Sequence, residues 1–266
     1  MSKIKKRSSI HIFLAVIRAL FLRELDMRLT QGKSGLVWTF LSPFLQIMIF
    51  VSLHVLIKEY KGNVVTSFSY TAFMASGFIG FNLFRSILTQ SMGAFTANRA
   101  LFSYKQVKPI DTVIARIVVE IFLMSCIIII FLMIGFFFQI DNFLPENTLM
   151  VCLGFIWIIV FSFGIGLLVG IGNFFYMSIG KVISVISFML LILSAVFFPL
   201  VSIPQQAQDI LLYNPLVHFM EMIHGFYVQG LSDEYVDYTY MLYWTVIPIV
   251  LSLWLYIKLE KRIISQ

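Results

Sequence analysis

Long apolar runs constrain this chain more than any other feature. A helix needs roughly 20 apolar residues to cross the hydrocarbon core of a bilayer, and runs of that length recur along the 266 residues. Only 12% of the residues are charged, whereas 60% are hydrophobic. So few charged groups cannot cover the surface of a soluble domain of this size. The sequence therefore predicts an all-α membrane protein.

Six transmembrane helices are predicted from these runs. The second run contains Arg85 and the third contains Glu120, whereas the first is free of charge. One apolar stretch is too long for a single crossing, and we divide it around residues 172–181 into the fourth and fifth spans. The predicted spans cover 36–57, 68–92, 117–140, 147–180, the continuation past Lys181 to Pro199, and 238–257.

The distribution of Lys and Arg predicts the orientation of these spans. Nearly all of the 19 basic residues fall in segments that the order of the spans places on one side. Only Lys58 and Lys61 fall on the other side, and Arg85 lies within a span. Basic loops stay in the cytoplasm, so both termini are predicted to be cytoplasmic. Topology and anionic inner-leaflet lipid account for the net charge of +6, and no nucleic-acid partner is expected.

Residues 1–34 are predicted to be a cytoplasmic N-terminus with an interfacial helix, and residues 35–266 the transmembrane domain. The basic start followed by an apolar run is similar to a signal peptide, but Arg18 and Arg23 follow with no small-residue cleavage site. We instead expect an amphipathic helix over 12–29 on the inner membrane surface. In that helix the residues predicted to face water and headgroups are Arg18, Arg23, Glu24 and Arg28, and those predicted to enter lipid are Phe13, Leu20 and Phe21.

Motifs for covalent chemistry are weak in this sequence. Gly32-Lys33-Ser34 is similar to the end of a phosphate-binding loop, but Met27 occupies the position where the first glycine is required, and no strand precedes it. His218, Glu221 and His224 have a spacing that could place them on one helical face. They would form either a metal site or, as we favour, a polar stripe on a short helix at the outer mouth. We therefore predict no catalytic residues and no metal.

Charged and aromatic residues within the spans are candidates for function, because charge in a bilayer is costly. Arg85 either reaches the inner headgroups or lines a channel and meets an anionic substrate. Glu120 follows Arg116 by four residues, which predicts an ion pair between them. Tyr176 closes an aromatic cluster that belongs either to an interfacial belt or to a sugar path.

The segment 93–111 joins the second and third predicted spans on the cytoplasmic side. It mixes apolar residues with Arg and Lys, and Pro109 is expected to stop any helix. Asp111 suits the N-cap of the next helix. From the residues alone, the segment is either a contact for another protein or an interfacial turn.

Residues 98–120 resemble the loop after the second span in permeases of capsular polysaccharide ABC exporters, which are of the ABC-2 type. The resemblance rests on Leu-Phe-x-Tyr at 101–104 and Lys-Pro-Ile-Asp at 108–111. His224 departs from it, because broader family patterns often carry Arg or Gln there. Further matching residues, in family order, are Arg23, Glu24, Gly35, Trp38, Pro43, Phe198–Leu200, Ser202–Pro204, Tyr213–His218 and Glu221.

The resemblance implies a homodimer of permeases with two cytosolic ATPase subunits. ATP and Mg would bind to those subunits, so this chain would hold no cofactor. It also implies short re-entrant helices in the outer region 199–237. The residues expected to couple to the ATPase are Asn98, Leu101, Phe102, Tyr104, Lys105, Arg23 and Glu24. The substrate-channel candidates are Arg85, His218, Glu221 and Tyr176.

The predicted function is export of lipid-linked, acidic capsular polysaccharide across a bacterial inner membrane. Periplasmic and outer-membrane export proteins would be further partners in a Gram-negative envelope, together with membrane lipids. Another cargo, such as O-antigen, teichoic acid or a lipophilic drug, is the first alternative. An intramembrane enzyme that uses His218, Glu221 and His224, and a scaffolding membrane protein, are the others.

Overall fold

The structure, a computed structural model, describes residues 9–29, 38, 41–42, 44–50, 52–53, 56, 70–139 and 143–265. In these ranges all regular secondary structure is helical, which confirms the all-α prediction for them. The helices are α1 (Ser9–Leu29), α2 (Tyr70–Met92), α3 (Ala94–Ala97), α4 (Pro109–Phe137), α5 (Thr148–Phe175), α6 (Ser178–Leu193), α7 (Gln205–Leu211), α8 (Pro215–Tyr227) and α9 (Tyr238–Ser265), with 3₁₀ turns at Arg99–Ser103 and Leu200–Ser202.

Four of these helices, α2, α4, α5 and α9, are long and apolar enough to cross a membrane. Helix α6, at the place of the predicted fifth span, is apolar but has only 16 residues. The predicted first span, 36–57, lies largely outside the described residues, and those that are described there are helical. The predicted break around 172–181 is confirmed, because α5 ends at Phe175 and α6 begins at Ser178.

Helix α2 is the most buried of the four and packs against α4, α5 and α8. Its contact with α5 depends on two glycines four residues apart. A Cβ added to Gly166 would lie 2.8 Å from the Ser91 hydroxyl oxygen, and one added to Gly170 would lie 2.7 Å from the Ser91 carbonyl oxygen. The small-residue pattern predicts such a close approach of two helix backbones, and the structure has it.

Helix α5 also packs closely against α9. A Cβ added to Gly164 would lie 2.9 Å from the Ile249 backbone nitrogen. The Trp157 indole N–H donates a hydrogen bond of 2.9 Å to the Thr245 hydroxyl. Near the C-terminal end of α5, the Asn173 side-chain amide donates to the Met92 carbonyl oxygen and accepts from the Gly180 N–H, both at 2.9 Å. Helix α5 is thereby bonded to α2, α6 and α9.

The start of α4 corrects one detail predicted from the sequence. Pro109 is the first residue of the helix, where its missing N–H costs no hydrogen bond. Asp111 is therefore a residue of the first turn and not the N-cap. Its carboxylate accepts the Lys108 N–H at 2.9 Å, so it satisfies the backbone from inside the helix.

Candidate functional site

Helix α1 lies along α4, and Arg23, Glu24 and Arg28 face the protein. Glu24 is buried, and the Arg28 side chain is only 14% exposed. The prediction that Arg23, Glu24 and Arg28 face water and headgroups is therefore wrong, as is the prediction that the buried Leu20 enters lipid. These charges turn inward because α4 presents groups of opposite charge at the same level. The exposed side of α1 includes Ile10, Phe13, Leu14, Arg18, Leu22 and Met27.

A network of four charged side chains joins α1 to α4. Arg28 pairs with Glu120 and lies 3.6 Å from the Glu24 carboxylate. Arg116 Nε lies 3.3 Å from Glu24 Oε1. The predicted pair between Arg116 and Glu120 is wrong, since each finds its partner on α1. Two cations balance two carboxylates, and each buried charge thus has the opposite charge that burial requires.

A second bond joins α1 to the segment 93–111. The Arg23 guanidinium donates to the side-chain oxygen of Asn98. Asn98 is buried, and its own amide donates to the Ala94 carbonyl oxygen at 2.8 Å. Because Asn98 holds α3 on one side and α1 on the other, it fixes the position at which the segment leaves the helical bundle.

The rest of that segment divides into buried and exposed residues. Phe102 is buried, and Leu101 is partly buried. Tyr104 is 64% exposed, and Lys105 is exposed as well. Asn98 and Phe102 therefore anchor the segment, while Tyr104 and Lys105 remain available for contact with another protein.

Two adjoining cavities lie beside α2. The first, which we call the network cavity, has a volume of about 550 Å³ and is lined by the four charges of the network with Ser86 and Gln90. The second, which we call the Arg85 cavity, has a volume of about 420 Å³. Arg116 donates at 2.8 Å to the Gln90 carbonyl oxygen, which connects the charge network to α2. Ser86, Gln90 and Met124 line both cavities, so the two share a wall.

His218 makes hydrogen bonds to backbone groups with both ring nitrogens. The Asp237 N–H donates to Nδ1 at 3.1 Å, so Nδ1 is the hydrogen-bond acceptor of the ring. Nε2 then carries the hydrogen and donates to the Leu212 carbonyl oxygen at 2.9 Å. The ring joins the end of α7 to the start of α9, and neither nitrogen is left for a substrate or a metal.

Glu221 and His224 occupy different surroundings from His218. The Leu200 N–H lies 3.4 Å from Glu221 Oε1, and Glu221 lines a cavity of about 100 Å³ with Glu234. Burial raises the pKa of Glu221 to about 7, an effect that the Leu200 N–H only partly offsets. Burial lowers the pKa of His224, whose ring centroid is 3.9 Å from that of Phe73, to about 3. The three residues lie on one helix, but their side chains contact different groups and form no common site.

Tyr176 is 71% exposed directly after α5, and the residues that line the three cavities above do not include it. In the described part of the chain, no three His, Cys, Asp or Glu side chains form a group that could hold a metal ion. Sequence reasoning missed the polar face of α2 that lines both large cavities. Its signal is the spacing of Asn82, Ser86 and Gln90 at intervals of four residues.

Comparison with known proteins adds to this geometry. The model of a family described as ABC-2 type transporter matches residues 15–227. The polysialic acid transport protein KpsM of Escherichia coli is 32% identical over 264 residues, which cover 98% of this chain and 99% of that protein. The capsule polysaccharide export inner-membrane protein CtrC of Neisseria meningitidis serogroup A is 29% identical over 94% of this chain and 93% of its own length. The O-antigen export system permease protein RfbA of Klebsiella pneumoniae is 23% identical over 90% of each chain.

Proposed function

This chain belongs to the ABC-2 type transporter family, and on that premise we propose that it is the membrane-spanning subunit of an ATP-driven exporter of capsular polysaccharide. The cargo would be a lipid-linked, acidic polymer that crosses a bacterial inner membrane. The observation that carries the proposal is the similarity, over nearly the whole chain, to proteins named for transport of polysialic acid and export of capsule polysaccharide. A second candidate cargo is O-antigen, because one relative is named for its export. Teichoic acid or another amphiphile would be a further cargo of the same fold.

The arrangement in the membrane that fits this function has six spans and cytoplasmic termini. Residues 1–34 would form the cytoplasmic N-terminus with its interfacial helix, and residues 35–266 the transmembrane domain. The short helices α7 and α8 would enter the outer leaflet and return. Two copies would enclose the path of the polymer, and two cytosolic ATPase subunits would hold ATP and Mg. In a Gram-negative envelope, periplasmic and outer-membrane export proteins would continue the path.

Coupling to the ATPase would begin at the exposed Tyr104 and Lys105. Movement of the segment would reach α1 through Asn98 and Arg23, whose side chains are bonded. Helix α1 is in turn paired with α4 through the charge network. A displacement at the cytoplasmic surface would therefore move α1 and α4 as one unit, since separating them would strip buried charges of their partners.

Deletion of the gene, followed by localisation of the polysaccharide, tests the proposed function. Polymer that accumulates inside the cell and returns to the surface on complementation is the expected result. Surface capsule that is unchanged, while O-antigen or another amphiphile is retained, would replace the proposed cargo with that compound.

The coupling surface is tested by co-purification of the ATPase with Tyr104→Ala. We expect this variant to lose most of the bound ATPase, because an exposed aromatic ring is a typical anchor of an interface. Tyr213→Ala is the matched control, since Tyr213 is 80% exposed in the outer region between α7 and α8. Equal retention of the ATPase by both variants would remove Tyr104 from the proposed contact.

A further inference from the structure

The Arg85 cavity has an unusual composition for a chain of this kind. Its wall on α2 consists of Asn82, Arg85, Ser86, Thr89 and Gln90, which recur at intervals of three and four residues and share one face of the helix. Such a face within an apolar helix is costly in lipid, so it must meet water, protein or a polar ligand. The structure places it against a cavity.

The part of the wall formed by residues 38–46 repeats the same pattern. Trp38, Ser42 and Gln46 are four residues apart, and all three line the cavity. The Asn82 amide nitrogen lies 3.5 Å from the Gln46 side-chain oxygen, at the limit of a hydrogen bond. Amides and hydroxyls that donate and accept therefore line the cavity from two separate parts of the chain. This combination suits a ligand that carries many hydroxyl groups.

Arg85 differs from the cations of the neighbouring network cavity. Arg28 and Arg116 each pair with a carboxylate, whereas no carboxylate among the described residues pairs with Arg85. Among the described residues, the cavity therefore carries a cation with no paired carboxylate, on a helix long and apolar enough to cross the membrane. A charge in this position attracts an oxyanion, and the planar guanidinium can hold a carboxylate by two parallel hydrogen bonds.

We propose that the Arg85 cavity is a binding subsite for an acidic sugar unit, with Arg85 on the sugar carboxylate and the flanking amides and hydroxyls on the ring hydroxyls. This inference rests on the proposed function and assigns the substrate class to one place in the fold. The volume of about 420 Å³ falls in the range of small-ligand sites, roughly 300–1,000 Å³. Trp38 is 62% exposed, so its ring is available to pack on the apolar face of a sugar.

Binding of defined probes to the purified chain, measured by calorimetry, tests the subsite. The first probe is a uronic-acid tetrasaccharide, and the second is the same tetrasaccharide with its carboxylates reduced to alcohols. We expect the wild type to bind the acidic probe about tenfold or more tightly than the reduced one. Arg85→Gln should remove that preference, and Arg85→Lys should keep part of it. Arg18→Gln, on the exposed side of α1, is the matched control and should bind as the wild type does.

A lipid phosphate offers the same oxyanion chemistry, so dihexanoyl phosphatidic acid is the third probe. Equal binding of both tetrasaccharides, unchanged binding by Arg85→Gln, or binding of phosphatidic acid alone would each overturn the inference. Thermal unfolding without ligand establishes that each variant is folded. Gln46→Ala leaves Arg85 in place and should weaken the binding of both tetrasaccharides.

Experiments in cells separate this inference from the proposed function. If deletion of the gene leaves surface polysaccharide unchanged, the proposed function fails whatever the probes show. If deletion retains the polymer inside the cell but Arg85→Gln exports it at the wild-type rate, the function stands and the subsite fails. Export that falls in Arg85→Gln, with the variant present in the membrane at the wild-type level, supports both.

Discussion

Arg28 of α1 pairs with Glu120 of α4 across 92 residues of sequence, and the pair is largely buried. Two buried opposite charges hold their helices in one register, because a shift would leave both without a partner. The pair therefore explains how an N-terminal helix outside the four candidate spans stays fixed to one of them.

Removal of one member of this pair should lower the stability of the protein by more than the pair as a whole contributes to it. We expect Glu120→Gln or Arg28→Gln to destabilise the protein by about 3 kcal/mol, since each leaves a buried charge short of its partner. The double variant should lose clearly less than the sum of the two single losses. Thermal unfolding of the purified protein measures all three. Arg18→Gln, an exposed cation on the same helix, should change the free energy of unfolding by less than about 0.5 kcal/mol, and additive losses would show that the pair is not coupled.

The contact between α2 and α5 predicts different outcomes for two similar substitutions. Gly170→Ala would place a methyl group against the Ser91 backbone carbonyl, which cannot move aside, and should cost roughly 1–3 kcal/mol. Gly166→Ala meets the Ser91 hydroxyl first, so Ser91→Ala should restore part of its loss but none of that of Gly170→Ala. The melting temperatures of the single and double variants provide the comparison. Gly172→Ala is the control, because the added methyl group would contact only the end of the Ile179 side chain. A loss of stability at Gly172 as large as that at Gly170 would contradict the packing argument.

Glu221 should make the stability of the protein depend on pH. Its pKa is raised from 4.5 to about 7 in the folded protein, so the folded state holds the proton more tightly than the unfolded state. Stability therefore falls as the pH rises from about 4.5 to about 7, and by pH 8 the loss amounts to at most roughly 3 kcal/mol. Glu221→Gln should be less sensitive to pH and more stable than the wild type at pH 8. Melting temperatures at pH 5 and pH 8 test this, with Glu234→Gln, exposed on the same cavity, as a control that should keep the wild-type dependence.

Asn214 should contribute more to stability than an ordinary helix cap. Its side-chain oxygen accepts the Leu216 N–H at 3.1 Å, and its amide donates to the Leu193 carbonyl and the Ser194 hydroxyl, both at 3.0 Å. Asn214→Ala should cost about 1 kcal/mol for the cap and about 1 kcal/mol more for the donated bonds. Asn147→Ala removes only the cap of α5 and should cost about 1 kcal/mol. Similar losses at both positions, measured by thermal unfolding, would show that the link between α6 and α8 adds nothing.

The helical class, the break between α5 and α6 and the short helices within 199–237 were predictable from the sequence. Each depends on local composition: a long apolar run must be divided, and Pro204 and Pro215 interrupt the region where α7 and α8 lie. The length of α6 was overestimated because apolar residues continue to Pro199, whereas the helix ends at Leu193.

The partners of the charged residues were not predictable in the same way. Spacing along one helix favours Arg116 beside Glu120, but it carries no information about a helix that begins a hundred residues earlier in the sequence. Burial against α4 then reversed the face assigned to Arg23, Glu24 and Arg28. The polar residues of α2 recur every three to four residues, so the sequence contains the signal for a polar face. The high average hydrophobicity of the whole span drew attention away from all of them except Arg85.

The bond from Asn173 to the Met92 carbonyl spans 81 residues and has a consequence for the order of events during biogenesis. Helix α2 leaves the ribosome well before α5 does. The surface of α2 around Ser91, which contacts Gly166 and Gly170, is therefore without its partner helix for that interval. During that interval the polar side chains of α2 are exposed to whatever surrounds the nascent chain. Insertion machinery or a chaperone that shelters α2 until α5 arrives would therefore determine the yield of this protein.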